Sequence, residues 1–203
     1  MNGVILIEGI IGAGKTTLGE ILERRLGVPL KRELSDGDTT ALLQRFYRDP
    51  RRWAFSLQMH FLDVRQRMTR ELRDQTAGIL DRSLFGDRIF AEMHGAAGTI
   101  TPEEIRTYSS LWYALAEHLP PPTLLVYLDC SVATALERIH ERNRSGESRI
   151  TAEYLQDLNE RYLQWYHRYT LSPKVFVNTE AFNPSRPGDV LTIEELIASS
   201  VLS

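Results

Sequence analysis

Lysine is scarce in this 203-residue chain, standing only at positions Lys15, Lys31 and Lys174, and arginine carries the rest of the positive charge. The two cations fill solvated faces alike, so the imbalance reads as compositional bias rather than function. Cysteine is scarcer still. Cys130 is alone, which excludes an internal disulfide and a Cys-rich zinc cage and suits a reducing compartment. Positive charge is not in excess either. A formal net charge of -3 gives no long-range pull toward nucleic acid or an anionic membrane, so any bound anion must meet a local basic cluster. No apolar run approaches membrane-spanning length, and the first residues lead into a strand pattern without a basic segment or cleavage site. The expectation is a mature cytoplasmic chain with neither nucleic-acid nor membrane partners. Hydrophobic residues at 42% and charged residues at 25% are the proportions of a globular protein, and the length suits one domain, residues 1–203.

Short apolar runs alternate with long helical patterns, the mark of a parallel sheet covered by helices on both faces. VILIE (Val4 to Glu8), TLLVYLD (Thr123 to Asp129) and KVFVN (Lys174 to Asn178) read as buried strands. GILDRS (Gly78 to Ser83) is shorter, and PLKREL (Pro29 to Leu34) is a weaker candidate. Helices are expected from Lys15 to near Gly27, from about Pro50 to Gln75, after Thr101 and Pro102, from Ser131 to Asn143 and from Thr151 to Tyr169. NPSRPGDV (Asn183 to Val190) reads as a loop before a short last helix.

The most specific motif lies between the first strand and the first helix. Gly9, Gly14, Lys15 and Thr16 fit G-x-x-x-x-G-K-[ST]. Glycines there let backbone N–H groups converge on phosphate oxygens, and the helix start adds its positive dipole end. Lys15 would bridge the outer phosphates and the Thr16 hydroxyl would ligate Mg²⁺. LDRS (Leu80 to Ser83) ends a strand, where Asp81 and Arg82 either serve the metal and the transferring phosphate or form a surface ion pair. In ERIHERNRSGES, Arg138 and Arg142 share a helical face and Arg144 follows. They read either as a lid closing over phosphates as the helix loosens at Ser145-Gly146, or as an exposed face laced with Glu137 and Glu141. Phe46, Trp53, Phe55, Phe61 and Leu62 are core candidates, whereas Gln58 and Arg65, seven apart, form one polar side. Gln58 reads either as a base-edge partner or as part of an exposed stripe. Glu33 falls at the carboxyl end of the presumed second strand, where ligands of such sheets bind. The histidines, His60, His94, His118, His140 and His167, show no ligand spacing and read as structural or surface residues.

Together these segments, from Val4 to about Trp165, resemble the deoxynucleoside kinase family. The motifs follow the family's order: the phosphate loop, a Glu after the second strand, Y-x-D-P-x-x-W-A-x-x-x-Q, [ED]-R-S and an Arg-rich lid. The resemblance implies a three-layer P-loop kinase fold, with a five-stranded parallel sheet between helices and a lid at about 138–149. It implies ATP and Mg²⁺, the triphosphate lying on Gly9, Gly12, Ala13, Gly14, Lys15, Thr16 and Thr17 and meeting Arg138, Arg142 and Arg144 of the lid. Glu33 would take the proton of the sugar 5′-hydroxyl, and Arg82 would keep that hydroxyl and Glu33 in register. Thr16 and Asp81 would place the metal; the family usually has Glu at the latter position and Asp in some bacterial members. Tyr47 and Glu147 would hold the 3′-hydroxyl, Gln58 the base edge, Trp53 a wall and Phe90 the base face. Arg65 and Asp87 stand where members that accept deoxycytidine or purines carry a base-side pair, which points to deoxyadenosine or deoxyguanosine with deoxycytidine next. The family commonly dimerises, and the apolar side of IRTYSSLWYALAEHL suits either a homodimer or the core. The rivals are a nucleoside monophosphate kinase such as a thymidylate kinase, whose pocket needs an Arg aimed at the acceptor phosphate, and a nucleotide sensor without catalysis.

Overall fold

The computed structural model describes residues 3–33, 37–74, 77–182 and 186–202. Five strands form one parallel sheet: β1 (Gly3–Glu8), β2 (Leu30–Lys31), β3 (Ala77–Asp81), β4 (Leu124–Asp129) and β5 (Lys174–Asn178), in the order β2-β3-β1-β4-β5. Among the described residues eight helices connect or flank them: α1 (Lys15–Leu26), α2 (Gly37–Arg48), α3 (Pro50–Asp74), α4 (Leu84–Ala96), α5 (Pro102–Ala116), α6 (Val132–Arg142), α7 (Ala152–Arg168) and α8 (Pro187–Leu202), with a 3₁₀ turn at Glu147–Arg149. Among the described residues no helix is long and apolar enough to cross a membrane.

Alternation along the strands divides the core. Ile5 and Ile7 of β1 join Leu18 and Leu22 of α1 on one face of the sheet. Leu6, Leu80 and Leu125 point the other way, onto Val64, Met68 and Leu72 of α3. Local chemistry sets the helix ends. Thr101 and Glu104 form a reciprocal capping box before α5, with Pro102 in its first turn. Ser83, Ser131 and Thr151 cap α4, α6 and α7 by accepting backbone N–H bonds. Gly27 closes α1 in the left-handed conformation, its N–H returning to the Glu23 carbonyl.

Sheet order decides where chemistry can occur. The chain leaves β1 toward β2 and β3 on one side and later reaches β4 on the other, so the carboxyl end of β1 is a topological switch point. Ile7 pairs with Asp81, and the Arg82 N–H donates to the Ile7 carbonyl at 3.1 Å. The strand carrying Asp81 therefore ends beside the loop that follows Glu8.

Several elements differ from the sequence reading. Helices α2 and α4 were not anticipated. α4 buries Leu84, Gly86, Asp87, Ile89, Ala91, Met93 and His94, so apolar and polar residues alike face inward and the amphipathic period is lost. β2 is shorter than PLKREL, with Glu33 beyond its end and Leu34 outside the described residues. β3 stops at Asp81 because Arg82 turns left-handed, at φ 72°. The last helix begins at Pro187, inside the stretch read as loop, while 183–185 lie outside the described residues, as does Gln75. Of the aromatic core candidates, Phe46, Phe61 and Leu62 are buried and Trp53 and Phe55 pack partly exposed.

Leu72 sits in the layer between α3 and the sheet and is 1% exposed. Leu72→Ala is expected to lower stability by about 2–5 kcal/mol in urea unfolding while leaving activity per folded molecule intact.

Candidate active site

A cavity of about 590 Å³ opens over the carboxyl ends of the strands, within the usual size for a small-molecule site. Its floor is the segment from Ile11 to Leu18, and its walls include Glu33, Tyr47, Gln58, Asp81, Arg82, Asp87, Phe90, Arg138, Arg142, Arg144 and Glu147. The structure thus gathers most of the expected residues around one space. Gly9, Trp53 and Arg65 lie outside the lining.

The phosphate loop is tightly packed from below. A Cβ on Gly12, at φ 86°, would stand 2.5 Å from the Ala135 carbonyl oxygen, so only glycine lets α6 approach the loop. The Lys15 ammonium donates to the carbonyls of Gly9 at 3.1 Å and Ile10 at 2.8 Å. Burial, followed by repulsion from Arg82, lowers its pKa to about 7 despite the attraction of Asp81 and Glu33. Thr16 donates its hydroxyl to Asp81 Oδ2 at 2.6 Å, and Asp81 Oδ1 is buried with no hydrogen-bond partner. A hydroxyl beside a carboxylate with an oxygen to spare suits Mg²⁺, which takes its other ligands from water and phosphate. Among the described residues no group of three or more His, Cys, Asp or Glu side chains gathers as a closed metal cage.

Opposite the loop, buried charges alternate in sign. Glu33 Oε2 accepts from Arg82 Nε at 3.0 Å and Glu33 Oε1 from Arg65 Nη2 at 2.9 Å. Arg65 also donates from Nε to Asp87 Oδ2 at 3.0 Å and from Nη2 to Asp87 Oδ1 at 3.3 Å. Burial pushes Glu33 up, but Arg82, Arg65 and Lys15 outweigh it, and the carboxyl is held below its ordinary range. Asp87 moves the other way, burial pushing it up to about 6 against the pull of Arg65.

The remaining residues separate by which end they serve. Tyr47 and Glu147 share a wall, and burial followed by the nearby Glu147 charge raises the Tyr47 phenol pKa. Gln58 is buried in the lining, and among the described residues its amide makes no hydrogen bond. Phe90 lies beneath the Arg82 guanidinium at 4.7 Å.

Three expectations need correction. Arg65 does not reach the cavity: it is fully buried, so only its partner Asp87 faces the space. Trp53 is not in the cavity lining: its ring packs half-buried against the cluster of Phe46, Leu57 and Phe61, with Arg45 and Arg52 at 5.1 and 4.9 Å, and those three residues line the space instead. Ser145-Gly146 does not simply loosen the helix: Asn143 caps α6 in the left-handed conformation and the 3₁₀ turn follows. That turn folds Glu147 back onto α6, where Arg142 grips it with two 2.8 Å bonds. The three arginines are therefore unequal. Arg138 donates to the Thr179 hydroxyl and carbonyl and to the Gly12 carbonyl. Arg144 alone of the three has a side chain without a hydrogen bond or ion pair among the described residues, its carbonyl accepting from the Glu147 N–H at 3.2 Å.

A family model described as deoxynucleoside kinase matches residues 5–197. The chain belongs to the deoxynucleoside kinase family. Among its relatives is a deoxyadenosine/deoxycytidine kinase from Bacillus subtilis (strain 168), 33% identical over 186 residues, which cover 90% of this chain and 85% of that protein. A deoxyguanosine kinase from Lactobacillus johnsonii is 36% identical over 185 residues, covering 86% and 81%. The solved structure of a deoxyadenosine kinase from M. mycoides, with the products dCMP and a flexible dCDP bound, superposes with a TM-score of 0.85 at 25% identity, covering 97% and 99%.

For this kinase, sequence reading missed Glu8 and Tyr162, which hold Arg82 from behind, and Thr179 and Tyr154, which line the cavity. Glu8 offered a signal: a carboxylate closing an otherwise apolar strand directly before the phosphate loop.

With Lys15 at about 7, most of that ammonium is neutral at pH 8, and an arriving triphosphate raises its pKa and recharges it. Nucleotide binding at pH 8 should take up a proton and at pH 6 should not. Calorimetry in buffers of different ionisation heat measures the difference.

Proposed function

We propose that the enzyme transfers the γ-phosphoryl of ATP to the 5′-hydroxyl of a deoxynucleoside, favouring deoxyadenosine and deoxyguanosine, with deoxycytidine accepted. The observation that carries this reading is the shared cavity, whose lining holds Lys15 and its loop together with Glu33, Gln58 and Tyr47. In this reading Lys15, Arg138 and Arg144 serve the donor, whereas Glu33, Asp87 and Glu147, which line the same cavity, serve the acceptor. The guanidiniums nearest the acceptor are already engaged with those carboxylates. An uncharged sugar alcohol suits that end, and a nucleoside monophosphate would be repelled by it.

Residue roles follow from placement. Glu33 receives the 5′-hydroxyl proton, and its lowered pKa makes it a weak base whose orientation matters more than its strength. The transition state of phosphoryl transfer is loose, so alignment and charge neutralisation contribute most. Arg82 holds Glu33 and meets the transferring group. Lys15 bridges the outer phosphates, and Arg144 closes from the lid with Arg138 behind it. Thr16 and Asp81 would hold Mg²⁺, which when bound neutralises phosphate charge. Glu147, steadied by Arg142, and Tyr47 hold the sugar 3′-hydroxyl. Gln58 and Asp87 face the base, with Phe90 against its plane. An ionised Asp87 accepts from an exocyclic amino group and opposes the O4 acceptor of thymine.

Residues 1–203 act in this reading as one kinase domain, in the cytoplasm, as a homodimer. Support for the dimer comes from α5, where Leu111 is 38% and Tyr113 is 55% exposed; light scattering would give the mass.

The decisive assay follows ADP release with each of the four deoxynucleosides and with dAMP and dTMP. Purine deoxynucleosides should lead, deoxycytidine follow and thymidine trail; turnover only with the monophosphates would refute the assignment. Glu33→Gln should lower kcat by about 10²–10⁴-fold, the usual range for an acid–base group, and near-normal turnover would remove Glu33 from that role.

A further inference from the structure

Behind the cavity lies a closed ring of buried hydrogen bonds that the proposed reaction does not use. Arg82 Nη1 donates to the Tyr162 hydroxyl at 2.6 Å, and that hydroxyl donates to Glu8 Oε2 at 3.1 Å. The other Glu8 oxygen accepts from the Ser83 backbone N–H at 2.7 Å and the Ser83 hydroxyl at 2.6 Å. Ser83 follows Arg82 in the chain, so the ring closes through a peptide bond. Glu8 and Tyr162 are both 0% exposed, and neither belongs to the cavity lining.

The ring grips a strained residue. Arg82 has φ 72°, and the left-handed region costs a residue with a side chain about 1–2 kcal/mol. Glu8 holds the far side of that turn through Ser83, and Tyr162 holds the tip of the side chain. Room for Glu8 comes from Gly86 on α4, where a Cβ would approach the Glu8 carboxyl carbon to 2.7 Å. Among the described residues Arg82 Nη2 has no hydrogen-bond partner, while Nε stays on Glu33.

We infer that Tyr162, anchored on Glu8, is a positioning residue for phosphoryl transfer: it aims the Arg82 guanidinium so that one edge orients Glu33 and the free nitrogen meets the transferring phosphoryl. The inference rests on the kinase reading above. Tyr162 touches no substrate and acts only through Arg82.

Tyr162→Phe removes one oxygen and keeps the ring that packs edge-on against Phe90 at 6.1 Å and Trp165 at 6.1 Å. It should lower kcat by about 10–10²-fold, the effect of a small misplacement of a catalytic group, with the KM for each substrate nearly unchanged; the protein stays folded at a lower melting temperature, because Glu8 Oε2 loses its buried donor. In an Arg82→Ala background the same substitution should add almost nothing, because the group through which it acts is gone. Gly86→Ala, which displaces Glu8 from the opposite side, should give the same kcat loss and the same non-additivity, and it carries the test if Tyr162→Phe does not fold. Unchanged kcat in Tyr162→Phe, or an equal loss in both backgrounds, would overturn the inference and leave Tyr162 as packing. Absence of deoxynucleoside phosphorylation by the unaltered enzyme would instead overturn the kinase reading, before any variant is compared.

Discussion

Two guanidiniums share one carboxylate at the centre of this molecule. Arg82 takes one oxygen of Glu33 and Arg65 takes the other, and the two guanidiniums are buried while the carboxylate they hold faces the cavity. Arg65 is balanced by Asp87, and Arg82 by Tyr162 with Glu8 behind it. Removing one member of such a buried set leaves an uncompensated charge and costs about 3–5 kcal/mol, so the network is strongly coupled to the fold. It also constrains the chemistry. A carboxylate held by two cations is a poor base but a well-oriented one, which suits a reaction limited by alignment and charge rather than by proton abstraction.

The sheet order is what brings this network to the phosphate loop. Asp81 and Arg82 end β3 directly beside the end of β1, and the left-handed turn at Arg82 sends the backbone into α4, which carries Asp87 and Phe90. α3 passes under the same region and supplies Arg65 from within and Gln58 at the cavity. The 3₁₀ turn joins two walls of the cavity, where Arg142 of the helix beside the loop holds Glu147. Arg149 fastens the same turn to α2 through the Tyr47 carbonyl at 2.8 Å. The turn is therefore tied to α6 on one side and to α2 on the other.

Much of this was legible in the chain. LIEGIIGAGKTT announces a strand, a glycine turn and a helix in consecutive residues, and each signal is local. β4 and β5 were legible because their apolar runs are short, rich in branched residues and bounded by polar ones. What was not legible depends on tertiary packing. α4 carries Gly86 and Asp87 inward, so its pattern has no solvent face to reveal it. Trp53 was expected at the pocket wall from the resemblance alone and read from its own pattern as core, and its ring lies against Arg45 and Arg52 outside the cavity lining. Arg65 was expected, from the resemblance, to pair with Asp87 beside the base; the pair forms, and the structure adds Glu33 as a second partner and buries the guanidinium. Tyr162 gave no signal, since a tyrosine inside an amphipathic helix reads as core until its hydroxyl is seen to have partners on both sides.

The central claim is that an uncharged sugar alcohol meets Glu33 while a triphosphate rests on the Lys15 loop. A crystal structure with deoxyadenosine and a non-hydrolysable ATP analogue tests it most directly. The account predicts the 5′-hydroxyl within about 2.6–3.2 Å of a Glu33 oxygen, the reach of a general base, with the γ-phosphate between Lys15 and Arg82. A nucleoside bound with its 5′-hydroxyl turned away from Glu33 would contradict it.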